Sequence, residues 1–297
     1  MIVWQGRVCR FGDIYFGEET VSTADVDVLR HFHRMAPLPG VPCAPMQTIL
    51  IELAPDPDTL LAAVSKDTRY EIRRATDKDN LDYEAVEATS GAVNEFAAYY
   101  ARFAALKGLP PLSADYLHAL ARARALDLSV VRREGEILVW HAYYRGRERV
   151  RLLHSVSLYR TTEDSARRNL VGRANRYHHW QDMCRFRADA IALYDFGGWY
   201  EGAKDQEKVR INAFKEEFGG TIVPTYSCQH AVTVKGQLVL AVQGTADSVR
   251  SGLRVADAAR RRIRSPRTPP PAPPNGTNGT NGTRGKEAHI VVPDVAR

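Results

Sequence analysis

The sequence predicts an α/β (α+β) fold, a mixed and mostly antiparallel sheet flanked by helices. Three observations predict it. Apolar runs separated by turn residues form a meander from Leu128 to Leu158, with corners at Glu134-Gly135 and Gly146. The stretch Ala92 to Lys107 carries Val93, Phe96, Ala97, Tyr100, Phe103 and Ala104 at helical spacing, the stripe of a core-facing helix. The order strand, two helices, antiparallel strands, helix, strand, helix, strand mixes both element types in one layered core.

Taken in order, Ile2-Val3-Trp4, Arg7-Val8-Cys9 and Ile14-Tyr15-Phe16 read as short strands parted by Gly6 and Gly12. Thr23 is expected to cap a brief helix running through Phe32, and the proline-rich run Pro37 to Pro45 a connection. Gln47 to Leu53 is a strand. Asp56-Pro57 starts a helix, with an N-cap and a proline in the first turn. A further helical turn carries Arg69, Arg73 and Arg74. Tyr83 to Val86 is a strand, Ser90 caps the next helix, and Gly108 ends it. Ser113 caps a helix to about Ala125.

After the meander, a helix from Glu163 to Arg187 leads to the strand Ile191 to Tyr194. That strand is expected to stop at Asp195 and a Gly197-Gly198 turn. A short helix with Phe214 and Lys215 follows, closed by Phe218 and Gly219-Gly220. Thr221 to Val223 opens another strand. Two more strands near Ser227 to Val234 and Gln237 to Val242, then a basic amphipathic helix from Asp247 to Ile263, complete the folded part. From Arg264 the composition turns to Pro269 to Pro274 and three Asn-Gly-Thr repeats, which read as a low-complexity linker. The expected division is a short N-terminal subdomain over 1–55, a main domain over 56–263, and a tail over 264–297.

The chain of 297 residues is 44% hydrophobic and 26% charged, ordinary values for a globular protein with a real core. No apolar run approaches the roughly 20 residues that cross a bilayer, and the N-terminus lacks a signal peptide's pattern. A cytoplasmic location without membrane partners is therefore expected. The net charge of +6 permits an acidic partner such as RNA without requiring one. Cys9, Cys43, Cys184 and Cys228 are scattered with no C-x-x-C pair, so reduced, packed thiols are expected and no metal.

Three blocks carry a resemblance. YDFGG at 194–198 is followed, after a polar loop, by FKEEFGG at 214–220; LAAVSKDTRYEIRRA at 61–75 includes Arg69, Ile72, Arg73 and Ala75; NRYHHW at 175–180 lies on the intervening helix. In this order the blocks resemble the Fem-type aminoacyltransferases, built on the GNAT fold, which make peptide bridges from aminoacyl-tRNA. The resemblance implies a GNAT-like sheet with a truncated N-terminal GNAT-like half. It implies aminoacyl transfer from aminoacyl-tRNA to an amine, a small natural-product or peptide intermediate, forming an amide with no cofactor. It also implies that Phe214 and Lys215 engage the aminoacyl-tRNA end.

The chemistry needs a cation where the tetrahedral oxyanion forms, and Lys215 is the candidate; one such donor is worth about 3 kcal/mol. Phe214 could stack on the terminal adenine, or it is core and Lys215 an exposed helix residue. Arg69 and Arg73, at i and i+4, share a face that either binds phosphate, together with Arg74, or is merely solvated. Asp195 could orient the amine or take its proton, or equally cap the glycine turn. Trp199 and Tyr200 could line an acceptor or adenine pocket, or simply cover the core. His141 and His154 are expected beside the acceptor and could act as bases, though a lone strand histidine is more often structural, and the base stays unassigned. The rival reading is an acyl-CoA N-acyltransferase. Asn169 to Ala174 nearly matches the turn that cradles the CoA pyrophosphate, with Gly172 and Ala174 in place but Asn at its first position. The same turn, with Arg168, Arg173 and Arg176, could instead hold a tRNA phosphate.

Overall fold

The computed structural model describes residues 1–18, 25–158 and 164–243. Ten strands form one sheet: β1 (Ile2–Gln5), β2 (Arg10–Tyr15), β3 (Val28–Arg34), β4 (Cys43–Glu52), β5 (Asp82–Val86), β6 (Leu126–Arg133), β7 (Glu136–Arg145), β8 (Arg149–Val156), β9 (Leu193–Trp199) and β10 (Thr221–Ala231). Their spatial order is β1-β2-β3-β10-β4-β9-β8-β7-β6-β5. All neighbours pair antiparallel except β2 with β3 and β8 with β9. The mixed, mostly antiparallel sheet expected from the sequence is present. Strands from before and after residue 56 share it, because β10 lies between β3 and β4.

Helices flank the sheet: α1 (Pro57–Ala63), α2 (Lys66–Lys78), α3 (Ser90–Lys107), α4 (Ala114–Arg122), α5 (Ser165–Ala188) and α6 (Gln206–Glu216). Their ends follow local chemistry. Asp56 caps α1 with Pro57 behind it, Ser113 caps α4, and Gly108 closes α3 in the left-handed region. Thr89 rather than Ser90 caps α3, one residue earlier than expected. Ser65 opens α2 as a separate helix.

The two largest hydrophobic clusters among the described residues lie under different helices. Helices α3 and α4 cover Leu128, Val130, Trp140, Ala142 and Leu153. Helices α1, α2, α5 and α6 cover Ile49, Ile51, Val150, Leu152, Tyr194 and Phe196. Alternation along the strands sends neighbouring residues to opposite faces.

Several elements differ from expectation. Residues 7–9 form a turn rather than a strand, with Gly6 N–H on the Cys9 carbonyl at 2.9 Å. The expected helix through Phe32 is strand β3, because alternating Val28, Arg30 and Phe32 pair with β2 and β10. Strand β9 continues through Gly197-Gly198 to Trp199, since β4 offers Thr48 and Gln47 as partners. The expected strand over Gln237 to Val242 is helical, within a helical run over residues 234–243. The helix expected over Asp247 to Ile263 and the tail fall outside the described residues. Cys43 and Cys228 form a disulfide, correcting the expectation of reduced thiols; the residues are 185 apart in sequence but directly opposed across β4 and β10. Among the described residues, no helix is long and apolar enough to cross a membrane.

Candidate functional site

Strand β9 pairs with β4 from Leu193 to Trp199, but with β8 in parallel only as far as Arg151 and Asp195. At that divergence lies a buried charged cluster. Asp195 is fully buried and its carboxylate accepts from Arg149, from Arg151 Nη1 at 3.0 Å and from the Gly197 N–H at 2.8 Å. Thr48 Oγ1 bonds the same carboxylate and is itself reached by Arg151 Nη1 at 3.2 Å. Burial alone would raise the acid's pKa, but the two guanidiniums outweigh it and hold the carboxyl well below the usual range. Asp195 is therefore a permanent anion with its oxygens occupied. It cannot accept an amine proton near neutral pH, and it does cap the glycine segment through Gly197.

Lys215 is 1% exposed, and its Nζ donates to the Gly198 carbonyl at 2.5 Å. Desolvation, and then the nearby Arg151 charge, push its pKa down to about 7. Lys208, Ile211, Asn212 and Lys215 fall at helical spacing on one face of α6. The first three, with Gly198, Trp199, Tyr200, Met46 and Gln47, line a cavity of about 400 Å³. Lys215 thus lies one turn beyond the cavity's wall, joined to it through Gly198. The reading of Lys215 as an exposed helix residue is excluded by its burial.

Trp199 and Tyr200 are half-buried on the cavity wall. Asn212 fixes Tyr200 through both backbone groups, at 3.1 and 2.7 Å. Phe214 is different. It is 1% exposed and packs against Phe196, Phe218 and His179, with the Arg176 guanidinium over its ring at 5.2 Å. No face remains for a base, so the expected adenine stacking is corrected to a core role.

The expected phosphate-binding arginines divide. Arg69 donates to the Ala62 and Val64 carbonyls, both at 2.7 Å, and so closes the end of α1. Arg73 and Arg74 are exposed. Arg173 is held by Asp79, and Arg176 by Glu217. Arg74, Gly172, Arg173 and Arg176 do meet at a second cavity of about 530 Å³ between α2 and α5, but Asp67, Glu71 and Glu217 share its lining. Gly172 lies in the interior of α5, where helix bonds use the backbone N–H groups. The expected pyrophosphate turn is not formed there, and the CoA reading loses the feature it rested on.

His141 and His154 lie elsewhere. His154 packs on Phe96 and Tyr100, and burial lowers its pKa to about 4. His141 belongs to a buried network: His141 Nδ1 and the Tyr143 hydroxyl both meet Asp182, at 2.8 and 2.6 Å. Tyr143 continues to Tyr194 at 2.9 Å, and Tyr194 to His179 at 2.7 Å. His141, His178 and Asp182 bring three metal-ligand atoms within 4.8 Å of one another. Each makes a hydrogen bond, His178 through Nε2 to Ser129 and His141 also to Asn175, while His178 Nδ1 has no partner among the described residues. Neither histidine reaches Lys215's cavity, which corrects their expected place in an acceptor site.

Sequence reasoning missed Arg149, Arg151, Thr48 and Asn212. The available signal was in β8, Arg149-Val150-Arg151-Leu152-Leu153, where two arginines alternate inside an apolar run. Charges on a buried strand face require a partner, and Asp195 was the acid on a neighbouring apolar strand.

No protein-family model matches the chain, and no curated protein does. Among solved structures, FemX superposes with a TM-score of 0.50 at 14% identity, covering 61% of each chain. This chain therefore spans about 61% of FemX's length. The C-terminal domain of a provisionally named lysylphosphatidylglycerol synthetase from Agrobacterium fabrum gives 0.47 at 14% identity, over 74% of this chain and 73% of that one. L-PGS from Bacillus licheniformis gives 0.43 at 11% identity, over 73% and 72%. At such identities only architecture is informative, and it rests on the first match. The chain shares the FemX-like fold, a large mostly antiparallel sheet flanked by helices.

Proposed function

We propose that this protein is an acyltransferase that moves an aminoacyl group from aminoacyl-tRNA to an amine, forming an amide. The observation that carries the reading is Lys215, a buried cation joined through Gly198 to an aromatic-walled cavity. Aminoacyl transfer has one demanding species, the tetrahedral oxyanion formed when the amine adds to the ester carbonyl. A preorganised ammonium in a dry site lowers that barrier more than it would in water. On collapse, the carbon–oxygen bond to the tRNA ribose breaks, and the ribose oxygen takes up a proton as the amine nitrogen loses one. A lysine whose pKa is lowered to about 7 can hydrogen-bond the oxyanion and yield a proton to the leaving oxygen. Trp199, Tyr200 and Asn212 would hold the acceptor beside it. The acceptor class proposed is a small natural-product or peptide amine.

The test is label transfer from a charged tRNA pool to a pool of amines, with ribonuclease-treated and acetyl-CoA arms. Transfer that ribonuclease abolishes is the expected result. Undiminished acylation of the amines after ribonuclease, supported by acetyl-CoA, would reject the reading.

A further inference from the structure

The cavity of about 400 Å³ beside Gly198 carries two charged side chains, Glu201 and Lys208, and only one of them is neutralised. Lys208 has its Nζ 3.5 Å from Asp205, one turn back along α6, and lies over the Tyr200 ring at 5.1 Å. Glu201 has no cationic partner among the described residues. Lys204, on the same loop, neither pairs with it there nor lines the cavity. The one hydrogen bond Glu201 accepts among those residues comes from a neutral amide, Gln47 Nε2 to Oε1 at 2.8 Å. Gln47 is paired with Trp199 across β4 and β9, so the sheet itself fixes the group that orients the carboxylate. Oε2 is left to accept from a molecule in the cavity.

The rest of the wall is apolar or already committed. Met46, Trp199 and Ile211 offer carbon and sulfur surface. The Asn212 amide is spent on both backbone groups of Tyr200. Lys208 occupies the Tyr200 ring, and Gly202 lies so close to that side chain that a Cβ there would overlap the hydroxyl. A second cation therefore belongs on the carboxylate rather than on that ring. The molecule that suits such a wall has an apolar stem and a positive end. Hydrogen bonds from an ammonium to a carboxylate are roughly twice as strong as neutral ones, and apolar neighbours strengthen them further.

We propose that Glu201 selects what enters this cavity by positive charge, taking an alkylammonium whose N–H groups meet the carboxylate and whose stem lies along Met46, Trp199 and Ile211. The binding site stands without the transfer reading. Resting on that reading, it narrows the acceptor. A carboxylate partner favours the charged form of an amine, and a protonated nitrogen has no lone pair with which to attack an ester. The nitrogen held at Glu201 is therefore not the nucleophile, and the acceptor is a diamine. Its second, uncharged nitrogen forms the new bond to the acyl carbon, the carbon–oxygen bond to the tRNA ribose breaks, and the proton lost from that nitrogen goes to the ribose oxygen. The held ammonium passes through the reaction unchanged.

The probes are 1,4-diaminobutane, 1-aminobutane and 1-butanol, which share one stem and differ in charge. They are titrated into the full-length chain without tRNA and followed by the indole N–H signal of Trp199 in NMR. Both amines should bind about three- to tenfold more tightly than butanol. Glu201→Gln, at an exposed position, should remove that preference. Equal affinity for the amines and butanol in the wild-type chain overturns the site, as does a preference that survives Glu201→Gln. With aminoacyl-tRNA present, 1,4-diaminobutane should exceed 1-aminobutane about tenfold in kcat/KM, and Glu201→Gln should raise the diamine's KM with kcat little changed. Charge-selective binding with no transfer would sink the proposed reaction and leave the site intact. Transfer that treats the two amines alike would keep the reaction and overturn the diamine assignment.

Discussion

The Lys215 ammonium lies 2.5 Å from the carbonyl oxygen of Gly198. That bond ties the middle of the chemistry to the glycine doublet at 197–198. The two glycines do different work. Gly197 adopts φ 87, a conformation that side chains resist. Gly198 has nothing within 4 Å of where a Cβ would be, so it leaves open space beside the cavity.

Burial of Lys215 sets a pH dependence of stability. Its pKa is about 7 in the fold against an ordinary 10.5. Between those values the unfolded chain holds a proton that the folded chain has lost, so stability rises with pH across that window. Below it both states are protonated, and above it neither is. Denaturant midpoints of the wild-type chain should climb relative to those of Lys215→Met from pH 7 to pH 10. Parallel curves would mean that Lys215 titrates like a solvated lysine.

Asp195 acts as a structural anchor. Removing its charge leaves Arg149 and Arg151 buried without their carboxylate. Asp195→Asn should cost about 3–5 kcal/mol of stability, the usual penalty for breaking a buried pair from one side. Equilibrium unfolding checks this. A variant as stable as the wild type but inactive would restore Asp195 to a role in the chemistry.

Phe214 packs in the core beneath α6. Phe214→Ala should destabilise the fold by about 3–5 kcal/mol through the cavity it leaves. Phe214→Leu should retain most of the stability and, in an assay of tRNA binding, the wild-type affinity. A large loss of affinity in a well-folded Phe214→Leu variant would return the ring to the ligand.

The disulfide joins Cys43, at the start of β4 and two residues before Pro45 on the cavity wall, to Cys228 on β10. Reduction, or Cys43→Ser with Cys228→Ser, should lower stability by about 2–4 kcal/mol. Thermal melts with and without reductant measure it. Identical melts would show that the cross-link contributes nothing. Such bonds persist in oxidising surroundings, so the redox state of this pair in the native source also bears on the expected cytoplasmic location.

Much of the architecture was legible because local signals agreed with the fold. Caps at Asp56 and Ser113, the left-handed stop at Gly108 and the Glu134-Gly135 turn all act within a few residues. Strand β3 was misread because its pairing with β10 lies nearly 200 residues away, and no short window contains it. The same limit hid the disulfide. At the site, Lys215, Trp199 and Tyr200 were found near one another because one sequence block carries them. Arg149 and Arg151 were missed because their meaning appears only when β8 lies beside β9.

The central claim is that the Lys215 ammonium meets the negative charge developing on the acyl carbonyl oxygen. The most direct measurement is single-turnover transfer from labelled aminoacyl-tRNA by the wild-type chain and by Lys215→Met, with Tm recorded for both. The account expects the rate to fall about 100- to 1,000-fold while Tm stays level or rises, because a buried charge has been removed. A variant with near-normal rates and an intact fold would contradict it.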